Sequence, residues 1–79
     1  MVTVWRESGY RFVIFLDDHE PAHVHVFGDG ELKVDLTQAD AAKALISAEG
    51  MKRSDIRRAV QIVMERRHEF LVRWSEFHG

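Results

Sequence analysis

Two runs of strict alternation, His23–Phe27 and Glu31–Leu36, flank the tripeptide Gly28-Asp29-Gly30. Directly opposed residues of an antiparallel pair lie on one face of a sheet. Val24 and Val26 therefore share a face with Leu32, Val34 and Leu36 only if the loop between the strands has an odd length. A three-residue loop whose glycines take positive φ meets that condition and pairs Val26 with Leu32 and Val24 with Val34. The opposite face then carries His25 against Lys33 and His23 against Asp35. One register is allowed, and it lays two histidines on one polar face.

The flanking segments extend this hairpin into a domain. Val2 and Val4 precede Glu7-Ser8-Gly9, after which Tyr10, Phe12, Ile14 and Leu16 share one face of a second strand. Val13 and Phe15 make its other face apolar too, so this strand is expected inside the sheet and covered on both sides. Asp17 to Ala22 forms a polar loop. Residues 37–49 fit two templates: Thr37 can cap a short helix, and Ala44-Leu45-Ile46 can form a brief strand. From about Arg53 to Phe77, Ile56, Ala59, Val60, Val63, Met64, Phe70, Leu71, Trp74 and Phe77 recur at helical spacing, which predicts one helix of about 36 Å. The expected fold is α+β, a small antiparallel sheet of three to four strands in two hairpins, with one long C-terminal helix packed across it. Residues 1–79 are expected to form a single domain.

Composition narrows the function. The 79 residues include no cysteine, which excludes disulfides and thiolate zinc sites and leaves apolar burial, a partner protein or a second copy in a dimer as the sources of stability. No apolar run reaches the roughly 18 residues of a membrane span, and the N-terminus lacks a signal-peptide layout, so a cytoplasmic protein is expected. The net charge of −2 conceals a division at Met51. Residues 1–51 hold four basic and nine acidic side chains; residues 52–79 hold seven basic and four acidic. The simplest use of this asymmetry is attraction between the halves; the others are an acidic partner or an RNA backbone.

His19, His23 and His25 fall within seven residues, beside Asp17, Asp18 and Glu20. On a strand, His-x-His sets both imidazoles on one face about 6–7 Å apart at Cα, so that both can reach one divalent metal ion, with His19 or a loop carboxylate as a third ligand. The same pair suits acid–base chemistry on RNA. Lys33 beside His25 and Asp35 beside His23 would push the two imidazoles in opposite directions, and Lys33 or Arg67 would steady a phosphate. The plainer reading is a solvated polar face with both histidines hydrogen-bonded. Arg67 interrupts the apolar stripe of the helix, so it either clamps a phosphate or carboxylate or lays its stem on the core with its guanidinium in solvent or on an acid of the N-terminal half. No phosphate-binding glycine loop and no serine or cysteine nucleophile constellation is present.

Several of these segments together resemble a known family. Gly9-Tyr10-Arg11-Phe12, Glu20-Pro21-Ala22-His23-Val24-His25-Val26, Gly30-Glu31-Leu32-Lys33-Val34 and the ending Glu69-Phe70-Leu71-Val72-Arg73-Trp74 with Phe77-His78-Gly79 resemble the bacterial family called domain of unknown function 4160. Ala22 departs from the second proline common among members, and residues 37–49 match poorly. The resemblance implies importance for His23 and His25. Members are often encoded beside domain of unknown function 2442 in a toxin–antitoxin-like arrangement, which implies a cognate small protein partner. The resulting expectation is a toxin–antitoxin-type protein, an RNA-directed toxin using His23 and His25. The alternatives are a non-enzymatic, antitoxin-like interaction module and a metal-binding protein using His19, His23 and His25.

Overall fold

A computed structural model of the chain describes residues 1–79. Alternating residues build five antiparallel strands that follow one another across the sheet in chain order: β1 (Val2–Glu7), β2 (Tyr10–Ile14), β3 (His23–Phe27), β4 (Glu31–Asp35) and β5 (Leu45–Glu49). The register of β3 and β4 is the one the odd loop requires: His23 opposes Asp35, Val24 Val34, His25 Lys33 and Val26 Leu32. β2 lies inside the sheet, with Phe12, Val13 and Ile14 fully buried on its two faces. Ser8 and Gly9, both at positive φ, close β1 onto β2 as a two-residue turn.

The glycines of the second hairpin serve a different purpose from the expected one. Neither Gly28 nor Gly30 has positive φ. A Cβ on Gly30 would collide with the Glu49 carbonyl and the Gly50 backbone, so Gly30 is needed because the end of β5 passes against it. That strand makes the sheet one strand wider than the expected three to four. Residues 37–49 hold both a short helix and a strand, with Asp40 rather than Thr37 as the cap: α1 (Ala41–Ala44), its Asp40 cap accepting from the Ala42 N–H, runs straight into β5.

The C-terminal helix is two helices, α2 (Arg53–Glu65) and α3 (Arg67–His78), rather than one. The interruption needs no proline or glycine. The Arg66 N–H is shared between the carbonyls of Ile62 and Val63, which tightens the last turn of α2. The Arg66 side chain lies over the Trp5 ring, 3.4 Å from its centroid, and pairs with Glu69. Its 3.7 Å contact with Glu7 is the one ion pair joining the two halves of the chain, so their opposite charges are mostly not spent on each other. Helical bonding resumes from the Phe70 N–H to the Arg66 carbonyl.

One apolar cluster joins sheet and helices: Phe12, Ile14, Val24, Val26, Leu32, Val34 and Leu36 meet Ala59, Val60, Ile62, Val63, Phe70 and Trp74. Phe12 and Phe70 pack at 5.8 Å between ring centroids. Arg67 opens α3 and meets no acid of the N-terminal half: its Nη2 donates to the Thr37 carbonyl at 3.4 Å, while its Nε is buried without a partner. No helix is long and apolar enough to cross a membrane.

Candidate metal centre

Because β3 sends Val24 and Val26 into the apolar cluster, strand alternation turns His23, His25 and Phe27 to the opposite face. The loop after β2 turns back across that face, with the Asp18 N–H bonded to the Phe15 carbonyl at 3.3 Å. It brings one oxygen, Asp18 Oδ2, to 2.9 Å from His23 Nε2 and 3.1 Å from His25 Nε2. The donor atoms of Asp18, His23 and His25 all lie within 4.8 Å of one another.

Each imidazole is held from behind. His23 Nδ1 lies 2.8 Å from the Pro21 carbonyl, and His25 Nδ1 lies 3.1 Å from Glu31 Oε2. Carbonyl and carboxylate oxygens only accept, so both Nδ1 atoms carry the proton in these contacts. The walls are aromatic. Trp74 of α3 sits 5.2 Å from the His23 ring, and Phe15 meets the His25 ring edge-on at 4.5 Å. His23 is only 2 % exposed as a result. The side chains of His25 and Asp18 keep 13 % and 24 % exposure, so the group opens to solvent on the Asp18 side.

An imbalance remains inside this group. Four ring nitrogens each face an acceptor oxygen, whereas two neutral imidazoles carry only two N–H groups. The contact of His23 Nε2 with Asp18, though short, is too poorly aligned to be a hydrogen bond, so this buried nitrogen is left without a partner. A buried polar atom in that condition costs about 1–3 kcal/mol. Two protonated rings around one carboxylate oxygen, or one cation between the three groups, would remove the deficit.

The residues singled out in the sequence divide accordingly. His23 and His25 come together, 5.2 Å apart at their ring centroids. His19 does not join them: it is exposed on the loop, and Asp18 takes the third position. Asp35 and Lys33 oppose the histidines in register but do not bond to them. Asp35 instead accepts from the N–H and hydroxyl of Thr37, two residues away on its own chain. Arg67 lies outside the group. Of the loop carboxylates the sequence offers as third ligand, Asp18 is the one brought in, and Glu31 is the residue that the sequence reading lacks. Glu31 was reachable, because it sits diagonally across the strand pair from His25.

Comparison with curated proteins and with solved structures finds no significant match. A family model does match, over residues 9–75, which include the histidine strand, the loop carrying Asp18 and the helix that buries His23. With most of its length matched, the chain belongs to the family described as Domain of unknown function (DUF4160).

Proposed function

We propose that this chain is a divalent-metal-binding domain that holds its ion between His23 Nε2, His25 Nε2 and Asp18 Oδ2. The proton deficit carries the reading. Both Nδ1–H groups are committed to Pro21 and Glu31, which turns both Nε2 lone pairs toward the carboxylate. Ligand atoms that share an ion at ~2.0–2.1 Å stand about 2.9–3.4 Å apart, in line with the two Asp18 contacts. Two imidazoles and a carboxylate suit Zn2+, Fe2+, Co2+ or Mn2+ better than the all-oxygen ions Ca2+ and Mg2+. Three protein ligands leave coordination positions free, so a bound ion would supply a Lewis acid on the solvent side of Asp18. Titration of chelator-treated protein with Zn2+ tests this: one saturable site is expected, lost in Asp18→Asn and His25→Ala. Absence of saturable binding near neutral pH overturns it.

A second reading draws support from the same carboxylates. Asp18 and Glu31 orient imidazoles as acid–base chemistry requires, which suits an RNA-directed toxin acting with the cognate protein that the family resemblance implies. Toxicity on induction in bacteria that disappears in the His23→Ala/His25→Ala variant is its expected result. Toxicity that survives the double substitution ends it.

A further inference from the structure

At the end of the sheet beside the Ser8–Gly9 turn, the histidine face carries a second polar feature. Arg6 and Arg11 stand directly opposite each other on β1 and β2, on the same face, where like charges destabilise an antiparallel pair. Neither forms an ion pair with any carboxylate of the chain. The Arg11 guanidinium carbon rests over the Phe27 ring, 5.3 Å from its centroid, a contact that takes up none of its N–H donors. A third guanidinium, Arg58 of α2, is tied to the same turn by a 3.0 Å bond to Ser8 Oγ.

These groups border a cleft of about 520 Å³ that Arg6, Arg11, Ser8, Phe27 and Asp29 help to line. Tyr10 lines it too, its ring pressed so closely on Gly28 that a Cβ there would lie 2.9 Å from it. The second acid of the cleft, Asp55, is occupied by the Tyr10 hydroxyl at 2.8 Å. Asp29, on the hairpin turn, has no partner and is an acceptor for a hydroxyl group.

We propose that this cleft binds a phosphate ester of a hydroxylated carrier, a nucleotide or a sugar phosphate. The phosphate sits between the guanidinium forks of Arg6 and Arg11, and a carrier hydroxyl donates to Asp29. The phosphate supplies the charge that the opposed arginines lack, and the planar forks match its oxygens. The site uses no atom of Asp18, His23 or His25, so it stands or falls separately from the metal centre.

Nuclear magnetic resonance titrations of the chelator-treated full chain with three probes test it: inorganic phosphate, a nucleoside 5′-monophosphate and a hexose phosphate. Saturable shifts at the Ser8–Gly9 turn and at Arg11 are expected with at least one of the two esters, and inorganic phosphate should compete with it. The ester that binds more tightly identifies the carrier. Arg6→Gln and Arg11→Gln should each weaken binding about 10- to 100-fold, while Arg57→Gln on α2 leaves it unchanged. Asp29→Asn should weaken the ester and spare inorganic phosphate. In the absence of ligand, Arg6→Gln should raise the melting temperature, because it removes like-charge repulsion. No saturable binding of either ester, or equal losses in the Arg57→Gln control, would overturn the proposal, as would binding of inorganic phosphate alone.

Discussion

Gly30→Ala should be far more damaging than its position in a hairpin loop suggests, because the close neighbours are backbone. The added Cβ would lie 2.5 Å from the Gly50 carbonyl carbon and 2.7 Å from its oxygen, with the Glu49 carbonyl closer still. None of these atoms can rotate away, so β4 and β5 must separate locally. Overpacking of this kind costs about 1–3 kcal/mol, and each ladder bond lost adds about 1 kcal/mol. Reduced entropy of the unfolded chain returns roughly 0.4–1 kcal/mol. The net loss is about 2–4 kcal/mol, against a total of about 4–12 kcal/mol for a chain of 79 residues. In a thermal melt this corresponds to a fall of roughly 10–30 °C. Gly28→Ala is the control, since its Cβ meets only side chains that can shift, the Tyr10 ring and the Met51 methyl. Urea melts followed by tryptophan fluorescence would measure both variants. A Gly30→Ala protein no less stable than Gly28→Ala would refute the claim that backbone approach is what requires this glycine.

Phe70→Ala removes the side chain that packs α3 on Phe12 and should cost about 3–5 kcal/mol in the same assay, exposing His23 as α3 loosens. Glu31→Gln keeps the shape of the group behind His25 Nδ1 but removes its charge; Zn2+ affinity should fall about 10- to 100-fold with little change in melting temperature. Burial, followed by the hydrogen bond to Asp55, raises the pKa of Tyr10 above its ordinary value. The folded state therefore holds this proton to higher pH than the unfolded state does. The associated stability is complete below the unfolded pKa and is lost as pH rises through the folded one. Because Tyr10 is the only tyrosine, an alkaline absorbance titration reads it directly, and Asp55→Asn should lower its midpoint.

The parts of this fold that could be read in the sequence are those where one face is buried. Val24, Val26, Leu32 and Val34 admit a single register, and that register delivers His23 and His25 to one face. β5 was not decidable because all five of its residues are exposed, leaving no apolar alternation to detect. The purpose of Gly30 is hidden for the same reason, since its close neighbour belongs to that strand. The break at Arg66 rests on a stacking contact with Trp5, sixty-one positions earlier in the chain, and no local residue announces it. Asp18 could not be told from Asp17 or Glu20 until the loop after β2 had a path. Asp35 shows that register does not choose a hydrogen-bond partner, because Thr37 offers two donors nearer along the chain.

The central claim concerns where protons sit on two imidazoles, and histidine side-chain 1H–15N correlation spectra observe that directly. In the presence of Zn2+, His23 and His25 should both appear as Nδ1–H tautomers, with both Nε2 signals displaced from those of the chelator-treated protein. Two doubly protonated rings, unchanged when Zn2+ is added, would instead show that the deficit around Asp18 is met by protons and that no metal centre exists there.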